Sequence, residues 1–259
     1  MKVKILLIFL VSVNLFGFEN ELRKYVERIE YIHTNYYAGN FKVSIAKSVE
    51  GFIYSLNQVE KDILLNYEHD SIQYNYLNLL ISLVLCDIAY VIDDIDEHDN
   101  LIIRIVKNYD IGFKFSFNKG TFSDYFRVLG DLALNLISHD FSNFYSYVVN
   151  GKRFLQKALA MDGKNFRVNI PLAMFYTANA TSKTFNNNLF AAHYLNRAEE
   201  IPLSSRQKYL REIIKSSFLA RINRRVEAID CLKSAVKIFP NSYLAAIAIE
   251  KLEKGKPFF

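Results

Sequence analysis

The sequence predicts an all-α protein, and three observations predict it. Past residue 19, apolar residues recur at helical spacing almost without interruption. The stretches between these runs carry the residues that start and stop helices. The 259 residues include only 9 Gly and 4 Pro, too few for the tight turns of a β-sandwich or barrel. With 51% hydrophobic and 23% charged residues, the chain can bury one sizeable core or two small ones, and disorder is excluded as its main state.

Residues 1–18 come first and differ from the rest. Lys2 and Lys4 precede an apolar run from Ile5 to Val13, and no acidic residue occurs before Glu19. This is the anatomy of a secretory signal peptide or an uncleaved N-terminal anchor, with cleavage expected near Gly17. No cysteine lies nearby, so a lipoprotein signal is excluded. The protein is therefore expected in the periplasm or on the periplasmic face of the cell envelope, touching membrane only through this segment. Cys86 and Cys231 sit in apolar helical stretches, where lone cysteines serve as small hydrophobes more often than they pair.

The periodicity then predicts about 11 helices: Asn20 to Tyr37, Phe41 to Leu56, Ile72 to Ile92, Leu101 to Tyr109, Ser123 to Ser138, Ser142 to Met161, Arg167 to Ala180, Asn188 to Glu200, Ser205 to Ile222, Arg225 to Phe239 and Ser242 to Lys254. Ser123, Ser142 and Ser205 are placed to cap the helices they open. Leu77 to Val91 is apolar enough to resemble a membrane span. Asn78, Ser82 and Asp87 interrupt it, and it reads instead as a helix buried on several sides.

One stretch is more particular. In Val226 to Asn241, the residues Ala228, Leu232, Ala235 and Pro240 stand at a fixed spacing, Asn223 occupies the turn before them, and Ser216 lies twelve residues ahead of Ala228. The small residues Ala228 and Ala235 share a face and let two helices approach closely. This pattern resembles the tetratricopeptide repeat (TPR) family. A second unit matches through Leu172, Ala173 and Tyr176, then Ala191, Leu195 and Ala198, with six extra residues assigned to a polar loop from Asn179 to Asn188. Phe154 and Ala158 resemble the end of another unit, and Tyr36 to Phe41 with Ser44 and Gly51 make a weaker match. The likeness covers residues 141–255 and, more weakly, 20–56; residues 57–140 do not fall on the motif. The expected organisation is a signal or anchor at 1–18, an N-terminal helical part with one weak unit at 19–140, and TPR-like repeats with a C-terminal capping helix at 141–259.

The resemblance implies a degenerate TPR-like stack of helical hairpins, an α-solenoid whose concave face binds protein segments. Carried over by position, the residues facing that side are His33, Tyr36 and Tyr37, then Arg167, Met174 and Thr177, then Ser217 and Arg221. The Lys/Asn pattern with which chaperone-binding members clamp a C-terminal carboxylate is missing. Size, export segment and degenerate repeats are also similar to the T component of TRAP-type transporters, which implies an accessory that holds a small solute. The leading expectation is a non-enzymatic scaffold that holds another envelope protein in its groove, and the alternative is the small-solute accessory.

Charge agrees with protein or solute rather than nucleic acid. The formal net charge is +5, but it is segregated: Glu60 to Asn100 carries a balance of −9 and Ser204 to Phe259 one of +7. Such segregation suits packing of one end of the chain against the other better than a phosphate track. The acidic run Asp93 to Asp99 fails the spacing of a calcium loop and reads as a solvated connection between helices. His33, His69, His98, His139 and His193 show no zinc-binding spacing. Ser138-His139-Asp140 has the letters of a triad, but adjacent residues cannot reach one another in its geometry. No catalytic residue, metal or cofactor is expected.

Overall fold

The computed structural model describes residues 2–39, 45–118, 120–163, 165–180, 183–199 and 204–256, with side chains except at 2–19, 45–47 and 166. The described residues form eleven α-helices and no strand. These are α1 (Lys2–Tyr37), α2 (Ile45–Asn66), α3 (Ile72–Ala89), α4 (Ile95–Phe115), α5 (Ser123–Leu136), α6 (Phe144–Met161), α7 (Asn169–Ala178), α8 (Phe185–Arg197), α9 (Ser205–Arg221), α10 (Arg225–Ile238) and α11 (Tyr243–Glu253). Short 3-10 turns at Phe141–Asn143 and Phe166–Val168 lead into α6 and α7.

Local chemistry explains the boundaries and corrects several expectations. The first helix starts at Lys2 rather than Asn20, so the apolar N-terminal segment and the first core helix form one continuous helix. The expected start of the second helix at Phe41 lies outside the described residues. The fourth helix opens at Ile95 rather than Leu101, because Asp94 caps it by accepting from Glu97 N at 2.9 Å, and Asp96 and Glu97 sit in the first turn where the helix dipole favours acids. The caps lie elsewhere than expected. Ser123 donates instead to Ala158 O at 2.9 Å, Ser142 bonds to Asp140, and Ser204, not Ser205, closes a capping box with Gln207. Asn186 to Asn188 belong to the first turn of α8 rather than to a loop. Asn223 does take the left-handed conformation that its turn position requires, with φ 66°.

Consecutive helices pack in pairs, α3 on α4, α5 on α6, α7 on α8 and α9 on α10, with α11 on α10. The pairs are antiparallel. Asn108 bonds to Ser82 at 3.0 Å across α3 and α4, and the α5–α6 crossing sets Gly130 against Leu155 and Gly151 against Leu134. At that crossing a Cβ on Gly130 would lie 2.9 Å from the Gly151 carbonyl oxygen, so the two glycines permit the backbones to approach.

The odd helices α3, α5, α7 and α9 also touch one another in succession. Tyr76 near the start of α3 bonds to Asp124 at the start of α5, and Arg221 at the end of α9 donates to Ala178 O at the end of α7, so within each of these couples the helices run the same way. Helix α3, the one described helix long and apolar enough to cross a membrane, is enclosed by α1, α2, α4 and α5. Leu77, Leu79, Ile81, Leu85, Cys86 and Ile88 are completely buried in it, and each large side chain contributes about 1.5–3 kcal/mol. Both cysteines are buried and free.

Helix α1 packs on α2 and α3 and also reaches α9. The turn after it passes so close to Asn241 that a Cβ on Gly39, at φ 66°, would lie 2.1 Å from the Asn241 carbonyl oxygen, and only glycine fits there.

Candidate functional site

Polar residues recur at helical spacing on otherwise apolar faces, and they meet in the interior. Helix α1 contributes Glu30, His33, Tyr36 and Tyr37, α3 contributes Tyr76 and Asp87, and α5 contributes Asp124, Arg127 and Asp131. Arg167 enters from the turn before α7, and Arg206 from the first turn of α9. Residues at intervals of three, four and seven share one side of a helix, so each rod presents a polar ladder to the same space.

Asp87 organises one half. Its Oδ2 accepts from the Tyr37 hydroxyl at 2.7 Å and lies 2.6 Å from His33 Nε2, while its backbone carbonyl accepts from the Tyr36 hydroxyl at 2.8 Å. The other imidazole nitrogen, Nδ1, is 2.7 Å from Arg206 Nη1. A guanidinium only donates, so His33 Nδ1 is the acceptor and Nε2 carries the proton that goes to Asp87. His33 is accordingly neutral: burial, then the Arg206 charge, lowers its pKa against the opposing pull of Asp87 and Glu30. Burial raises the pKa values of Tyr36 and Tyr37, with the Asp87 charge adding to it, so both hydroxyls stay protonated as donors.

The other half is built on α5. Arg127 grips Asp124 through Nε at 2.5 Å and Nη2 at 3.0 Å, and Tyr76 donates to the same carboxylate at 2.6 Å. Burial alone would raise the Asp124 pKa. The Arg127 charge and hydrogen bonds, helped by Tyr76, bring it well below the ordinary carboxylate range. Asp131, two turns on from Asp124, is served less well. Arg127 lies 3.9 Å away and the Asn135 amide donates at 3.2 Å. Burial raises its pKa to about 6, with Asp87 adding to the rise and Arg127 and Arg206 opposing it. Yet 20% of the Asp131 side chain is open to solvent.

The cationic end is also loosely matched. Arg206 and Arg167 approach the same oxygen, Glu30 Oε1, at 3.8 Å and 3.5 Å, and Arg206 Nε is buried without a hydrogen-bond partner among the described residues. Glu30 keeps 27% of its side chain open and Arg206 12%.

Of the residues expected to face a concave side, His33, Tyr36, Tyr37 and Arg167 are brought together here. Met174, Thr177, Ser217 and Arg221 are not: they lie along α7 and α9 away from this cluster, with Thr177 and Ser217 buried in helix packing and Met174 half-buried. Sequence reasoning missed Asp87, Asp131, Arg127 and Arg206. Asp124, Arg127 and Asp131 at spacings of three and four on an apolar helix were the legible signal.

A concavity of about 680 Å³ lies on the outside of α4, lined by Ile102, Ile103, Val106, Asp110 and Lys114, with His139 also on its wall. His98 Nε2 meets His139 Nδ1 there at 3.2 Å. Comparison with protein-family models, with curated proteins and with solved structures finds no match.

Proposed function

We propose that the protein is an exported, degenerate TPR-like stack of helical hairpins that holds a small polar solute at the polar cluster where α1, α3, α5 and α9 meet. One observation carries this reading: ionisable groups with incomplete partners, Asp131 and Arg206, stand in this polar cluster with 20% and 12% of their side chains open. Buried charges cost stability unless matched, and a ligand that completes the matching turns that cost into affinity. The antiparallel pairs and the succession of odd helices support the stack, and the apolar leader supports export to the envelope. The role fits the solute-holding accessory that the resemblance to the TRAP-type T component implies.

Native mass spectrometry of the full chain, purified without denaturation, tests the reading. The expected spectrum shows a bound small molecule that is released on acid unfolding. A spectrum of bare chain, together with no rise in melting temperature across a panel of polar metabolites, would sink it, since a ligand at 100 Kd adds about 2.7 kcal/mol.

A scaffold reading keeps one specific support. Phe141, Phe144 and Tyr145, directly after the outer groove's Asp140, are exposed, with Phe141 and Tyr145 each 79% open. Exposed aromatic groups of this kind anchor protein partners. On that reading the partner docks outside, and the interior polar cluster is structural.

A further inference from the structure

Outside the interior cluster, two imidazoles face each other. His98 stands in the first turn of α4 and His139 in the turn after α5, 41 positions away, and His98 Nε2 lies 3.2 Å from His139 Nδ1. Both rings are held in place. His98 Nδ1 lies 3.1 Å from Asp99 Oδ1, the His139 backbone N–H donates to Leu136 O at 3.0 Å, and the Tyr90 ring packs on the His139 ring with centroids 4.3 Å apart.

The pair is one proton short. A carboxylate only accepts, so His98 Nδ1 carries a proton and a neutral His98 presents a lone pair at Nε2. His139 Nδ1 is then the donor between the rings, which leaves a bare lone pair at His139 Nε2. That nitrogen is buried and completes no hydrogen bond among the described residues, while the Cys86 carbonyl, another acceptor, acts on the same ring. Two imidazoles thus stand between two acceptors, Asp99 and Cys86, with two protons for three contacts.

We infer that His98 Nε2 and His139 Nδ1 chelate a divalent transition-metal ion of the zinc type at the wall of the outer concavity. With the ion between the rings, both facing nitrogens offer lone pairs. The His139 proton moves from Nδ1 to Nε2, where it points to the Cys86 carbonyl, and the pair neither gains nor loses a proton. Each ligand then donates its outer N–H to an acceptor, a carboxylate for His98 and a backbone carbonyl for His139, the arrangement that orients metal-binding histidines. The separation agrees as well. Zinc–nitrogen bonds of ~2.0–2.1 Å at a tetrahedral angle set two ligand atoms about 3.3 Å apart. A modest rotation of the rings aims both lone pairs at one point, and the His98 side chain, 25% open, has room for it.

Water fills the remaining positions. Among the described residues no third His, Cys, Asp or Glu is placed to complete a protein cage. Asp140 is held by Ser142, Asn143 and Tyr147, and Asp99 serves His98. Asp99, His139 and Asp140 lie on the wall of the 680 Å³ concavity, which gives the ion its way in. Imidazole donors suit zinc, copper and nickel, and leave magnesium and calcium to oxygen sites. The site stands apart from the solute-holding reading and does not depend on it.

Zinc chloride titrated into the full chain at pH 7.5, followed by calorimetry and by long-range ¹H–¹⁵N spectra of the imidazoles, tests the inference. The expected result is one ion per chain, shifts at His98 Nε2 and His139 Nδ1, a proton relocated to His139 Nε2, and no binding of magnesium at the same concentrations. Asp99→Ala is expected to weaken zinc by about tenfold, the cost of losing an outer partner, and His98→Gln by more. A His69→Gln, His193→Gln variant, altered at two exposed histidines elsewhere, is expected to bind as the parent does. Melting curves without zinc confirm that the variants fold, and the spectra of the parent identify the ligands without any substitution. Zinc that leaves the two nitrogens unshifted, zinc bound equally by His98→Gln, or binding lost in the His69→Gln, His193→Gln variant overturns the inference. It also falls if only acidification moves the two rings, because the pair then holds a shared proton in place of an ion.

Discussion

Asp131 and Asp124 sit two turns apart on α5, and burial acts on both, yet their ionisation is driven in opposite directions because Arg127 bonds one directly and only approaches the other. The consequences for stability are opposite too. Asp131 has a folded pKa raised from 3.8 to about 6, so below pH 4 it is protonated in both states and costs nothing. As pH rises from 4 to 6 the unfolded chain loses this proton while the fold keeps it, and stability falls by about 1–3 kcal/mol, discounted for the carboxyl's partial contact with water. Asp124 is depressed, so its contribution is present above the unfolded value and disappears on acidification. Denaturant melts at pH 4 and pH 7.5 separate the two. Asp131→Asn is expected to match the parent at pH 4 and exceed it by about 1–3 kcal/mol at pH 7.5. At this scale the sequence was half legible. His33, Tyr36, Tyr37 and Arg167 stood out by position, but Asp87 read only as a break in an apolar run, because its partners lie 54 and 50 residues away.

The helices from α3 onward follow the expected ranges to within a few residues except for α4, since an apolar stripe of 3.6-residue period survives whatever the stripe packs against. The exceptions have physical causes. An acidic run that looked like a linker became the cap and first turn of α4, and Ser123, expected to cap its own helix, is drawn to Ala158 across the α5–α6 interface. That interface makes a prediction about glycine. Gly130→Ala sets a Cβ 2.8 Å from Leu155 Cγ and 2.9 Å from a carbonyl oxygen that cannot move cheaply, so a loss of about 1–3 kcal/mol is expected despite better helix propensity. Gly51→Ala in α2 meets nothing within 4 Å and is expected to gain about 0.5–1 kcal/mol. Thermal unfolding of the two variants gives opposite signs if the crossing is as close as described, and the same sign if it is not.

Across the whole molecule, α1 ties α3 to α9 through the Asp87, His33 and Arg206 chain, and aromatic contact of Tyr37 with Tyr209 at 5.5 Å strengthens the tie. Charge segregation points to contact between distant parts of the chain, and here Asp87 of the acidic stretch and Arg206 of the basic stretch meet the same imidazole, that of His33. The route through a neutral imidazole was not legible, because no local pattern encodes it. Replacing His33 by Leu with Tyr37 by Phe is expected to cost about 2–5 kcal/mol by leaving Asp87 short of two donors. Hydrogen exchange is the measurement: the end of α1 and the first turn of α9 should exchange faster while α5 and α6 keep their protection. Leu22 and Tyr25 of α1 pack on the core.

The tie between residues 33 and 206 spans 173 positions, which sets an order on events during synthesis. A chain that is synthesised from its N-terminus releases its opening helix long before the partner it must grip exists. That helix can reach its final seat only after most of the chain has followed, so the polar cluster around His33 is completed last.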